Sequence, residues 1–137
     1  GEVTNKNVRE SLDNEFVTKI NKLDKEVEKA MDDLQIANAI SEIFEVLRSS
    51  NKYIDDTTPW VLAKDDTRKD RLETVIYNLL ESIRICARLL YPYLPDTSNS
   101  ILEQLNTTDK DLIYKDNNIY KVNKPSILFE RLDINNL

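Results

Sequence analysis

The sequence predicts an all-α protein: an antiparallel helix bundle followed by a short extended or hairpin tail. Three observations carry that expectation. Apolar residues recur in alternating steps of four and three through three long stretches, the cadence of a helix with one buried stripe. The 137 residues include one glycine, Gly1, and four prolines, while Leu, Ile, Lys, Glu and Asp are abundant. The length fits a single domain, long enough to bury roughly two-thirds of its unfolded surface.

Residues 1–10 are polar and aperiodic and read as a leader. The first helix carries Phe16, Ile20, Leu23, Val27, Ala30 and Leu34 on one stripe, with Lys19, Lys22, Lys25, Glu26, Glu28 and Lys29 on a solvated face. Asp32 or Asp33 is placed to cap the next helix by accepting a backbone N–H bond. That second helix repeats the steps at Ile36, Ile40, Ile43, Leu47, Ser50 and Ile54. The third does so at Leu72, Ile76, Leu79, Ile83, Cys86 and Leu90, with Asp66 or Thr67 as its cap. At 1.5 Å per residue it would run about 35 Å. Tyr91-Pro92-Tyr93-Leu94-Pro95 stops it, because proline cannot donate and clashes with the preceding turn. A shorter helix follows over about Thr97 to Leu105. Short connections between the long helices give an antiparallel bundle. Leu112-Ile113-Tyr114 and Ile119-Tyr120-Lys121-Val122 then flank Asp116-Asn117-Asn118, a turn-tolerant centre for a small hairpin or extended tail. The chain thus reads as one domain over 1–137: leader 1–10, bundle 11–106, and tail 107–137 packed on the bundle.

Composition removes whole classes of function. Histidine is absent, and with it the commonest general base and metal ligand. Cys86 is the only cysteine and falls on an apolar stripe, so it reads as a buried small hydrophobe and permits no internal disulfide or Cys/His zinc cage. A single glycine leaves no phosphate-cradling loop. No catalytic residue, metal site or cofactor is expected in this segment. The net charge of −6, with a pI near 4.8, argues against non-specific nucleic-acid binding, which needs a basic field. A local RNA site of aromatics and a few cations is still compatible with it. No apolar run reaches the roughly 20 residues that span a bilayer, and no secretory signal opens the chain. The expectation is a cytoplasmic protein with neither membrane nor DNA as a partner. Its start at Gly1-Glu2-Val3, without methionine, suggests a piece of something longer.

The step pattern breaks at Asn51-Lys52-Tyr53-Ile54-Asp55-Asp56-Thr57-Thr58-Pro59-Trp60-Val61-Leu62-Ala63-Lys64. Pro59 pushes Thr58 toward an extended conformation, and Thr58 at N-cap with Pro59 at N1 starts a new short helix. Trp60 then sits in a first turn beside free backbone N–H groups, with Lys64 one turn on. An aromatic plane, a cation and oriented donors suit a splayed RNA loop, whose bases stack at about 1–3 kcal/mol each. Yet a lone tryptophan in a helical domain is more often a core or hinge residue. Asp55 and Asp56 equally serve as a helix stop followed by a cap. The chemistry of the segment leaves both readings open.

The same stretch closely resembles the signature of the anticodon-binding domain of methionyl-tRNA synthetases, class I aminoacyl-tRNA synthetases. Val122-Asn123-Lys124-Pro125, with Leu128-Phe129 and Arg131-Leu132, resembles the segment that closes that family's core. The likeness runs from about Phe16 to Asp133. It implies a helix bundle of the class I anticodon-binding type that reads the CAU anticodon of methionine tRNA. Trp60 would stack on an anticodon base, Pro59 would position it, and Asn51 and Asp55 would lie at the same helix end. Asp55 would also repel the phosphates of wrong tRNAs. Lys52 and Lys64 flank the signature as candidate phosphate contacts. The resemblance further implies a catalytic domain in the same polypeptide, using ATP and magnesium, and an anticodon-reading helix ahead of residue 1. Phe129-Glu130-Arg131 departs from the family's Phe-Pro-Arg, a change expected to affect tail packing alone.

Arg84 and Arg88 share a face with Tyr77 and could form a second basic patch along the anticodon stem. Pairing with acidic neighbours such as Glu81 is the favoured reading. Asp55-Asp56 with Asp65-Asp66 matches no calcium loop. The competing function class is a helical protein–protein interaction or scaffold domain whose stripes pair with partner helices. Each stripe spans little more than two heptads, which suits an internally satisfied bundle better.

Overall fold

Three helices of 22 residues carry the architecture: α1 (Ser11–Asp32), α2 (Ile36–Thr57) and α4 (Lys69–Leu90). The computed structural model describes residues 2–121. Between α2 and α4 lie the four-residue helix α3 (Pro59–Leu62) and a 3-10 turn (Asp66–Arg68). α5 (Pro95–Leu105) follows, and two short strands, β1 (Glu2–Val3) and β2 (Tyr120–Lys121), complete the described elements. The fold is the expected all-α helical bundle.

The α1 and α2 stripes face each other and α4. Phe16, Ile20, Leu23, Val27, Ala30, Ile43, Leu47, Ile54, Leu79, Cys86 and Leu90 all enter one core cluster, as their spacing predicts. Burial pushes the Cys86 thiol well above its ordinary value, so it behaves as a small hydrophobe. The expected ends of these helices need correction. Leu34 is not a core residue: it is 88% exposed and adopts a left-handed φ of 58°. It stands just past the end of α1, where its N–H donates to Met31 O (2.9 Å) and that of Gln35 to Ala30 O (2.8 Å), closing a Schellman turn. Neither Asp32 nor Asp33 caps α2. The helix begins after Gln35 without a side-chain cap bond, because Asp32 and Asp33 are used to finish α1. Ile36 is exposed too, so the α2 stripe starts later than its apolar spacing suggests.

The cap expected at Asp66 or Thr67 is provided by Asp65. It accepts the Thr67 N–H (2.9 Å) and serves the 3-10 turn instead of α4. α4 stops at Leu90, where Tyr93 and Leu94 N–H both bond Leu90 O (2.9 and 2.8 Å). α5 starts at Pro95, two residues before the expected Thr97, since proline is pre-organised for a first helical position. The buried Ser98 hydroxyl donates to Ala87 O (2.6 Å) and fixes α5 on α4.

The chain ends differ most from expectation. No hairpin forms around Asp116-Asn117-Asn118 among the described residues. β2 instead pairs antiparallel with β1, Val3 opposite Tyr120, so the opening residues are tied down. Thr74 Oγ1 accepts the Val8 N–H (3.1 Å), and Arg71 donates to Val8 O (2.8 Å). Val3 and Tyr120 join Ile76, Tyr77, Leu80 and Leu105 in a second apolar cluster on the other side of α4. α4 is therefore buried on two sides, with few of its residues even partly exposed to solvent.

A polar network holds residues 109–120 against α4. The fully buried Glu81 carboxylate accepts from Arg84 Nε (2.8 Å), Lys115 N–H (2.7 Å), Asn118 Nδ2 (3.0 Å) and the Tyr120 hydroxyl. Arg84, also fully buried, donates to Asp111 O and to Ile113 O (2.9 Å). Arg88 Nε donates to Asp109 O (2.9 Å). These arginines form no stem-facing patch; they satisfy loop carbonyls, as buried charges must be satisfied. The closing segment Val122-Asn123-Lys124-Pro125, with Phe129-Glu130-Arg131, lies outside the described residues.

Candidate nucleic-acid interface

The last two turns of α2 carry Asn51, Lys52 and Asp55, with Asn51 half-buried and the other two exposed. Asn51 and Asp55, four residues apart, lie on one helix face. α2 ends at Thr57, whose buried hydroxyl donates back to Tyr53 O (2.7 Å). Thr58 then reverses the chain. Its φ of 47° and ψ of 62° are left-handed, not the extended conformation expected before proline. Thr58 also ends α2: its N–H makes the last i→i−4 bond, to Ile54 O (3.0 Å), and its left-handed φ/ψ then turns the chain out of the helix into α3. A β-branched residue in that region costs about 1–2 kcal/mol, so surrounding contacts must hold it.

Pro59 is buried and wedges α3 against the bundle, whereas Trp60 is 43% exposed. Trp60 is therefore not a core residue. Val61, 54% exposed, continues the apolar patch. The free N–H donors expected around Trp60 are not all available. Val61 and Leu62 N–H both turn to Thr58 O (2.9 and 3.2 Å), because α3 is a single turn closed on its own cap residue. Lys64 is exposed but lies beyond the α3 C-cap Ala63, so it does not continue Trp60's helix.

Two clefts border this end. One of about 290 Å³ is lined by Asp56, Thr57, Val61, Leu62, Arg68 and Arg71. The other, about 210 Å³, lies between α1 and α2 and includes Phe16, Lys19, Lys52, Tyr53 and Asp56. Under the exposed signature runs a buried network that the spacing of residues does not reveal. Tyr53 stacks on Phe16 with ring centroids 4.3 Å apart, and its hydroxyl donates to Asp13 Oδ1 (2.7 Å). Asn78 Nδ2 donates to the same hydroxyl (3.1 Å). Arg71 grips Asp13 with both terminal nitrogens, Nη2 at 3.1 Å from Oδ1. Burial alone would raise the Asp13 carboxyl, but bonds from Arg71, Tyr53 and the Glu10 N–H outweigh it and hold the group below its ordinary value. Burial and the neighbouring Asp13 push the Tyr53 phenol well up, so it remains a neutral donor. The one signal in the sequence was Tyr53 itself, a hydroxyl on a buried helix face that must find a partner.

Residues 3–132 match the family described as the anticodon binding domain of methionyl tRNA ligase. The chain belongs to that family. It is 39% identical to the methionine–tRNA ligase of Caldanaerobacter subterraneus subsp. tengcongensis over 134 residues, covering 92% of this chain and 21% of the relative. Against the methionine–tRNA ligase of Clostridium acetobutylicum the identity is 40% over 131 residues, covering 92% and 20%. The bundle is also similar to Mycobacterium tuberculosis methionyl-tRNA synthetase in its apo form, with a TM-score of 0.74 at 28% identity, over 79% of this chain and 22% of that one. The same enzyme in complex with methionyl-adenylate gives a TM-score of 0.75 at 28% identity and the same coverage. The chain thus spans about a fifth of the length of the relatives it matches. For an anticodon-binding domain of methionyl-tRNA ligase, the α2–α3 end offers an exposed indole flanked by an amide, carboxylates and a lysine. That combination can stack on a base and hydrogen-bond its edges.

Proposed function

We propose that the α2–α3 end reads the CAU anticodon of methionine tRNA, so that a longer polypeptide can attach methionine to it. The observation that carries this reading is the exposed Trp60 ring, which directly follows the buried Pro59 at the end of α2, the helix whose last two turns carry Asn51 and Asp55. Trp60 stacks on an anticodon base, Asn51 contributes an edge contact, and Asp55 disfavours loops that bring phosphate close. Lys52 and Lys64 take phosphates. Stacking and edge contacts explain how a domain of net charge −6 binds RNA selectively without a basic field. The chemistry of methionine activation, with ATP and magnesium, belongs to a catalytic domain of the same polypeptide, and this segment alone is inactive. A cytoplasmic setting follows from that role; among the described residues no helix is long and apolar enough to cross a membrane.

The test uses the single tryptophan as reporter. Titration with an anticodon stem-loop carrying CAU should quench Trp60 emission, and one carrying a changed base should do so far less. Equal quenching by both loops refutes the reading, as does absent quenching that persists when the anticodon-reading helix implied ahead of residue 1 is restored. Trp60→Ala should weaken binding by the about 1–3 kcal/mol of a lost stack yet cost about 1 kcal/mol or less in thermal melting, as surface changes do. A loss of 3–5 kcal/mol would instead mark a core aromatic.

A further inference from the structure

The exposed signature rests on a turn that the local sequence does not favour. Thr58 is β-branched and left-handed, and α3 is one turn closed on Thr58 O. Neither element is stable by itself, so the position of Trp60 depends on what anchors the last turn of α2. That anchor is visible. Tyr53 is the residue whose carbonyl receives the Thr57 hydroxyl, and its own hydroxyl is clamped between Asp13 of α1 and Asn78 of α4. Asn78 Oδ1 in turn accepts from the Tyr114 hydroxyl (2.7 Å), and Arg71 joins Asp13 to the opening segment through Val8 O. Arg71 and Thr57 also line one cleft with Val61 and Leu62, so the network reaches the underside of α3. The phenol is thus bonded from α1 and α4, and through Arg71 and Asn78 the same network extends to the opening segment and to Tyr114.

We infer that Tyr53 is a positioning residue for anticodon reading: its hydroxyl, fixed by Asp13 and Asn78, sets the end of α2 and through it the presentation of Trp60. This rests on the RNA-reading role of Trp60 proposed above. The ring of Tyr53 is accounted for by its stack on Phe16, and packing alone would be met by phenylalanine. The hydroxyl adds a fixed orientation to that packing. If the competent placement of Trp60 fell to about a fifth of molecules on its loss, the apparent Kd for RNA would rise about fivefold.

Tyr53→Phe in the full 137-residue chain tests this without disturbing the ring. Three readouts are taken together: helical content by circular dichroism, acrylamide quenching and anisotropy of Trp60 in the free protein, and binding of the CAU stem-loop. The expected result is unchanged helicity, a more quenchable and less anisotropic Trp60, and a roughly fivefold rise in Kd. Tyr120→Phe is the control, because it also deletes a buried hydroxyl bonded to a carboxylate, at the far side of α4. It should leave Trp60 quenching unmoved. If Tyr53→Phe leaves Trp60 quenching and anisotropy at wild-type values, or if Tyr120→Phe changes them equally, the inference is wrong. Should Tyr53→Phe melt below the assay temperature, Asn78→Ala removes one clamp and is judged by the same readouts. The RNA-reading role fails separately, when wild-type protein does not distinguish CAU from a changed loop. The quenching comparison then still decides whether Tyr53 positions Trp60.

Discussion

Asp13 is fully buried, yet its charge is compensated from three directions: the Arg71 guanidinium, the Tyr53 hydroxyl and the Glu10 N–H (3.1 Å). Those bonds hold its carboxyl below the ordinary value of 3.8 in the folded state. The stabilisation is therefore complete above the unfolded value and drains away as pH falls through it toward the lowered one. Melting temperature should decline between about pH 5 and pH 3, and Asp13→Asn should flatten that decline. The slope should not vanish, because Asp109 is also held low, burial opposing and bonds from the Asp111 N–H and Asn118 prevailing. At neutral pH Asp13→Asn leaves Arg71 without its buried counter-charge and should cost about 3 kcal/mol or more, read by chemical denaturation. A melting curve insensitive to this substitution would mean that Asp13 adds nothing.

At the scale of elements, helix ends decide where the signature lies. α1 and α2 are joined by only three residues, and the turn is made by Leu34 in a left-handed conformation with its side chain in solvent. Leucine gains no burial there and carries the steric cost of a Cβ. Leu34→Gly should therefore stabilise the protein by about 1 kcal/mol, raising the melting temperature by roughly 2–4 °C. A fall in melting temperature would show that the leucine packs in a way its exposure belies. The Thr58 turn has the same backbone geometry but the opposite setting. It is buttressed by buried Pro59, by Thr57 and by the Tyr53 clamp, and it leads directly into the exposed Trp60. Strain at one turn is incidental, while at the other it is held in place by its surroundings.

At the scale of the whole molecule, a net charge of −6 constrains how RNA can bind. If Lys52 and Lys64 each take one phosphate, log K should fall with log salt at a slope of about −1.4. Lys64→Ala should then reduce the slope by about 0.7, measured by fluorescence titration from low to moderate salt. A slope several times steeper would require a basic surface that these two lysines do not supply. The helix stripes are spent internally: residues of α1, α2 and α4 share one core cluster, which leaves no long apolar helix face for the scaffold role among the described residues.

Periodicity by itself determined the three long helices, most of their buried residues, the proline stops and the surface break at Asn51 to Lys64. It could do so because a 3.6-residue period and the missing N–H of proline are local properties, legible without knowing what packs where. Family likeness in the same stretch pointed to Trp60 and its neighbours. Tertiary structure decided the rest. Trp60 could be core or surface until Pro59 was seen to take the buried place beside it. Arg84 reads as an exposed helix charge until residues 109–113 fold over it and present their carbonyls. β1 finds β2 across more than a hundred residues, and Arg71 finds Asp13 across 58. Such partners have no spacing to betray them: they are chosen by whichever buried polar group and strand edge the closed bundle brings within reach of a hydrogen bond.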